Sequence, residues 1–336
     1  MPKFLILRFS SIGDLVATSP IPRWLKQQIP NAQVHYLVKR QFASLLTANP
    51  HVDKVFVFDK EKHPLEKVLV DLKTENYDWV LDLHKNWRTL QVRRVLQKTV
   101  LSFDKLSFKK WLFTQFHINK LPNIPIAERY RLGLAPLQLQ NDGLGLDHFI
   151  PEGQTIHPAQ LDPRLAQQAY IGLVIGAAHA TKRLPTERLK QLCQALPQHL
   201  IVLLGGPDDQ TAAHQIEQAG PQVINTCGQL SINQSASLVQ QARVVVAHDT
   251  GLMHLAAAFK RPLVVLWGST HPAFGLFPYL PDTAPPALHI AQNELTCRPC
   301  TKIGRASCPK GHFNCMQDLK IVDMVAAIET QWALNQ

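Results

Sequence analysis

What most constrains the fold is a unit that recurs along the chain: a short apolar run, a polar or glycine-bearing turn, then a stretch with helical spacing. Residues 4–9 form such a run, the turn Ser10-Ser11-Ile12-Gly13-Asp14 follows, and a helical stretch covers about 15–28, disturbed by Pro20 and Pro22. Further runs at 34–38, 55–58 and 79–83 alternate with helical patterns at 41–47 and 63–73. After the Pro- and Gly-bearing stretch 140–163, the style returns with runs at 171–175, 200–204, 223–225, 244–247 and 263–267. Helical segments at 185–195, 208–218, 231–240 and 251–258 separate them, and a last helix spans 318–334. Short apolar strands alternating with helices predict parallel sheets covered on both faces. The chain is therefore expected to be α/β, with two Rossmann-like domains facing a cleft. The expected limits are 1–155 and 165–316, followed by a C-terminal helix at 317–336. Ligands of such sheets bind at the strand C-termini.

Composition narrows the partners. The 35 Lys and Arg against 25 Asp and Glu leave a formal charge of +10, before any of 15 His titrate. That excess favours polyanions: nucleic acid, an anionic membrane surface, or phosphorylated substrates. The opening apolar run ends at Arg8, short of the ~7–15 residues of a secretory signal. No apolar run approaches the ~18–20 residues that span a bilayer. A cytoplasmic protein is expected, in which six Cys point to metal binding or burial rather than disulfides.

Three turns carry candidate chemistry. In Val244-Val245-Val246-Ala247-His248-Asp249-Thr250-Gly251-Leu252-Met253-His254, a β-branched run stops and a helix begins at once. Thr250 is a candidate N-cap, and the free N–H groups behind it suit a diphosphate. His254 lies one helical turn on, so the two share a face. The same pattern also describes an ordinary capped helix. In Gly176-Ala177-Ala178-His179-Ala180-Thr181-Lys182-Arg183-Leu184-Pro185, small residues and cations could admit phosphate oxygens, although neither a Walker loop nor G-x-G-x-x-G is present. A solvated basic turn fits it equally. Asp14, at the end of the first strand, is placed either to act as a general base or to favour a helix N-terminus.

Taken in order, several segments resemble the ADP-heptose:lipopolysaccharide heptosyltransferases, glycosyltransferase family 9. They are Phe4-Leu5-Ile6-Leu7-Arg8 with Ser10-Ser11-Ile12-Gly13-Asp14, then Tyr77-Asp78-Trp79-Val80-Leu81-Asp82-Leu83 and Lys182-Arg183-Leu184-Pro185. The last is Asp249-Thr250-Gly251-Leu252-Met253-His254-Leu255-Ala256-Ala257. Arg8 stands where the family often has Lys. The resemblance implies a GT-B fold, with acceptor bound by the N-terminal half and nucleotide sugar by the C-terminal half. It implies inverting, metal-independent transfer, with Asp14 as base and no cofactor in catalysis. It assigns Thr181, Lys182, Asp249, Thr250, Gly251 and His254 to the nucleotide sugar.

Residues 83–120 hold nine Lys or Arg (Lys85, Arg88, Arg93, Arg94, Lys98, Lys105, Lys109, Lys110, Lys120) and one acid, Asp104, for +8. Trp87, Phe103, Phe108, Trp111, Phe113 and Phe116 are interleaved. Such a mixture suits an anionic membrane or phosphorylated glycolipid, and also single-stranded nucleic acid. Arg88, Arg93 and Arg94, with Ser11, are the expected acceptor contacts, because the Arg fork matches phosphate and carboxylate. Cys297, Cys300, Cys308 and Cys315, with His312 nearby, could hold a structural zinc as thiolates. The expected partners are thus ADP-heptose, a lipid-linked anionic glycan and the inner-membrane surface, with a peripheral cytoplasmic location and no nucleic acid. The alternatives are another nucleotide sugar on the same fold, or a basic nucleic-acid-binding protein with a zinc-stabilised tail.

Overall fold

The computed structural model describes residues 1–334. The chain divides into two units, Met1–Lys105 with Ile124–Glu152, and Leu106–Asn123 with everything from Gly153 onward. In the first, β1 (Lys3–Leu7), β2 (Gln33–Lys39), β3 (Lys54–Phe58), β4 (Trp79–Asp82) and β5 (Thr99–Ser102) form a parallel sheet ordered β3-β2-β1-β4-β5. Phe4 of β1 sits opposite Val34 on one side and Trp79 on the other. Phe4, Leu5, Ile6 and Leu7 are all buried, which is why this central strand reads as an unbroken apolar run.

The crossovers are α1 (Ile12–Ala17), α2 (Pro20–Gln28), α3 (Leu65–Thr74) and α4 (Trp87–Leu96). The single disturbed helix expected over 15–28 is two helices. Pro20 opens the second one, where its missing N–H costs nothing. The expected helix at 41–47 is a 3₁₀ run, Arg40–Leu45. After β5 the chain leaves this unit as α5 (Ser107–Phe116) and returns to it as α6 (Ile126–Gly133).

The second unit contains β6 (Tyr170–Val174), β7 (Leu200–Leu204), β8 (Val223–Asn225), β9 (Val244–His248), β10 (Leu263–Trp267) and β11 (Leu288–Ala291). They are parallel, in the order β11-β10-β9-β6-β7-β8. Counted from β6, this is the doubly wound 3-2-1-4-5-6 arrangement. Its helices are α7 (Thr186–Gln194), α8 (Gln210–Glu217), α9 (Ile232–Gln241), α10 (Gly251–Ala258), α11 (Asn314–Gln317) and α12 (Ile321–Ala333). α12 belongs to this core, since Met324 and Ile328 are fully buried among Ile171, Leu203 and Leu266. α5 joins this unit too, through Phe113, whose ring lies 5.1 Å from His271 and 5.6 Å from Phe274 between centroids. A contiguous first domain over 1–155 therefore does not describe the packing of residues 106–123.

The Pro- and Gly-bearing stretch 140–163 is tied down at its start. Buried Arg23 donates to Asp142 at 2.6 and 2.9 Å, to the Gly145 carbonyl at 2.8 Å, and pairs with Asp147. Burial pushes the Asp142 carboxyl up, but hydrogen bonds from Arg23 prevail and bring it down to about 2. A carboxyl lowered on folding contributes stability above its unfolded pKa and loses it as pH falls through the folded one. Arg23→Met, which strands two carboxylates, is expected to cost about 3–5 kcal/mol in urea unfolding. The loss should shrink between pH ~4 and about 2 as Asp142 protonates; a cost that does not change with pH would contradict the assignment.

Candidate active site

In doubly wound sheets, ligands bind where neighbouring strands send their connections to opposite sides, at the strand C-termini. Here those points lie between β1 and β4 and between β6 and β9. The turns singled out in the sequence fall on them.

At the first, Arg8 follows β1 and is buried. Its Nε donates to the Ser10 carbonyl at 2.8 Å, Nη1 to the Leu83 carbonyl behind β4 and to Tyr130 Oη at 3.2 Å, and Nη2 pairs with Asp14 Oδ1. One guanidinium thus joins both strand ends and holds the carboxylate. Asp14 is the third residue of α1, and its Oδ2 accepts from Ser11 N–H at 3.1 Å and Ser11 Oγ–H at 2.8 Å. Burial raises the Asp14 carboxyl, while Arg8 and the Ser11 donors outweigh it and hold the group below the usual carboxylate range. Asp14 is therefore ionised at neutral pH and partly exposed, able to accept a proton through its remaining lone pairs. Exposed Ser11 spends its proton on Asp14, leaving its oxygen to accept from a ligand hydroxyl.

His84, two residues beyond β4, was missed in the sequence, although its place at a strand C-terminus was the available signal. Its Nδ1 is buried without a partner, and burial with nearby Arg8 lowers the ring to about 4, so it is neutral. The three arginines expected to gather on an acidic acceptor do not converge. Arg88 lies over the Phe58 ring at 5.5 Å and Arg94 over Trp87 at 6.0 Å. Arg93 reaches fully buried Asp82 at 3.5 Å. On α4 they stand on different faces, at roughly 100° per residue.

At the second point, α10 begins directly after β9, with Thr250 as N-cap. Its Oγ1 caps nothing: the atom is buried and has no partner. The first N–H groups of α10, Gly251 among them, have no carbonyl within the helix to bind. His254 lies one turn along α10 and is buried. Lys182 Nζ is 2.8 Å from Asp249 Oδ2 and donates to the Asp249 carbonyl at 3.2 Å. An ammonium has three donors, so one remains. Thr270, also missed, donates to Asp249 Oδ2 at 2.9 Å. Asp249 thus positions a cation rather than facing an anionic ligand alone.

Thr181 differs from its expected role as a ligand contact. Its hydroxyl accepts from Arg305 N–H at 2.8 Å and Ser269 Oγ–H at 2.9 Å, and donates to the Arg305 carbonyl at 3.2 Å. That uses one donor and two acceptors, all it has. Thr181 anchors the turn that carries Lys182. Gly268 lies behind it, where a Cβ would come within 2.6 Å of the Thr181 carbonyl. Arg298 Nε donates to the Gly268 carbonyl at 2.8 Å. The cysteine-bearing tail therefore braces the turn.

All six cysteines are free thiols. Burial pushes Cys193 and Cys227 up to about 12, as expected for isolated buried thiols. Burial and neighbouring cysteines raise Cys300, and Cys315 to about 12. Cys297 Sγ lies 3.9 Å from His312 Nε2, yet among the described residues no three His, Cys, Asp or Glu are arranged to hold a metal ion. Cys297, Cys300, Cys308 and Cys315 thus form no preassembled zinc cage.

Residues 66–307 match glycosyltransferase family 9 (heptosyltransferase). The chain belongs to this family. The match contains Lys182, Asp249 and Thr250 and begins after Asp14. Lipopolysaccharide heptosyltransferase 2 of Salmonella typhimurium is 28% identical, over 94% of each chain. A solved family 9 glycosyl transferase of Veillonella parvula superposes with a TM-score of 0.78 at 21% identity, covering 99% of this chain and 97% of its own. An E. coli heptosyltransferase solved with ADP gives 0.68 at 21% identity, covering 98% and 99%. The fold is thus that of family 9 glycosyltransferases, and this protein is a glycosyltransferase.

The Arg8–Asp14 pair predicts how activity follows pH. With a lowered carboxyl, the acidic limb of kcat/KM should lie below the ordinary carboxylate pKa of about 4. Arg8→Met removes the cation, so the limb should move up by about 1–3 pH units. An unmoved limb in a folded variant would show that Asp14 does not set it.

Proposed function

We propose that this glycosyltransferase moves a heptose from ADP-heptose to the inner core of a lipopolysaccharide precursor, with inversion at the anomeric carbon. An acceptor hydroxyl attacks that carbon, its proton passes to Asp14, and the bond to the diphosphate breaks, releasing ADP. The observation that carries the proposal is the unspent donor set at α10: the buried Thr250 hydroxyl, the first helical N–H groups and the third Lys182 proton. Fixed donors aimed at a departing diphosphate stabilise the charge it develops. The relative solved with ADP supports a nucleotide-sugar donor. The basic first-unit residues Arg88 and Arg94 support an anionic, lipid-linked acceptor at the cytoplasmic face of the inner membrane.

ADP release in the presence of a matched acceptor tests this. Asp14→Asn should lower kcat by about 10²–10⁴-fold, the usual contribution of a general base, while leaving ADP affinity unchanged. Thr250→Val should weaken ADP by about tenfold, as loss of one hydrogen bond to a charged group. Full activity in Asp14→Asn would remove Asp14 as base. Turnover of another nucleotide sugar in place of ADP-heptose would overturn the donor assignment.

A further inference from the structure

We propose that α5 is a docking helix that seats the enzyme on an anionic bilayer; this rests on the lipid-linked acceptor proposed above. α5 has two unlike sides. Phe113 is buried against Phe274 and His271 and fixes the helix to the second unit. Phe108, Trp111 and Phe116 are 68%, 49% and 58% exposed, and Ile118, just past the helix end, is 47% exposed.

These exposed rings are organised. Phe108 and Trp111, three apart and so on one face, stack at 5.8 Å with an interplanar angle of 26°. Trp111 meets Phe116 edge-on at 5.3 Å. The aromatics pack on one another instead of the core, as a continuous apolar ridge. Surface apolar residues are normally scattered singly, and a contiguous set marks an interaction site.

Charge selects the occupant. Residues 106–123 contain Lys109, Lys110 and Lys120 and no Asp or Glu, and Lys109 and Lys120 are exposed. Trp and Phe on one side with Lys beside them is the chemistry of a helix lying in the headgroup region of an anionic leaflet. Each Lys near such a surface adds attraction to the anionic headgroups. A protein interface would be depleted in Lys, and for a nucleic acid the Trp111 face open to a base is shared with Phe108. Among the described residues no helix is long and apolar enough to cross a membrane, so α5 would bind along the surface.

Co-sedimentation with vesicles tests the proposal. Full-length protein should bind vesicles of phosphatidylglycerol with phosphatidylethanolamine and not those of phosphatidylcholine alone. Binding should fall at about 1 M salt, where the Debye length shrinks to about 3 Å. Trp111→Ser with Phe116→Ser should lower the partition coefficient about tenfold or more, as should Lys109→Glu with Lys120→Glu. Both pairs should keep the wild-type melting temperature and transfer heptose normally to a soluble, delipidated acceptor. Equal partitioning of variants and wild type, or no wild-type binding to anionic vesicles, would overturn the proposal. So would loss of soluble transfer in the variants alone, which would make α5 part of the substrate site. Absence of soluble transfer in the wild type would count against the proposed reaction, while the vesicle result would stand by itself.

Discussion

Everything chemical in this protein depends on the geometry of an all-parallel sheet. Parallel neighbours cannot be joined by tight turns, so each strand is followed by a crossover packed on a sheet face. The turns that lead into these crossovers all emerge at one edge of the sheet. Where the crossovers diverge, between β1 and β4 and between β6 and β9, the edge opens and polar side chains can stand there. Asp14 and His84 occupy the first such point, and Lys182, Asp249 and Thr250 the second. The apolar strands set these places; the chemistry is added in a few turn residues.

Each turn is held by a cation paired with a carboxylate: Arg8 with Asp14, Lys182 with Asp249, and Arg183 with Asp209 at 2.9 Å. Buried pairs add little net stability, because desolvation offsets attraction, but they fix position strongly. The pairs are not equivalent. Arg8 is consumed by four partners and acts only as a holder. Lys182 keeps a donor and sits beside an uncapped helix start, so the second point can receive an anion without breaking its own support.

Much of this was readable in the sequence where the determinants are local. Apolar runs of strand length mark nine of the eleven described strands, all but β5 and β11, and the turns after β1, β6 and β9 are visible as polar interruptions. β5, α4 and α5 are hidden inside the basic stretch 83–120, because its mixture of Lys, Arg and aromatics has no clean period. That stretch also serves both units, since α5 packs on Phe274, far along the chain. Thr181 was misassigned for the same reason: its partners Arg305 and Ser269 are 124 and 88 positions away. Thr270 gains its meaning only from the strand order, which sets it beside Asp249.

The central claim is that the start of α10 and the Lys182 turn form the diphosphate site. The most direct test is a crystal structure of the protein with ADP. It should place phosphate oxygens within hydrogen-bond distance of the Gly251 N–H, the Thr250 hydroxyl and Lys182 Nζ, with the Lys182–Asp249 pair intact. ADP bound away from α10, with Thr250 Oγ1 still unpartnered, would contradict it.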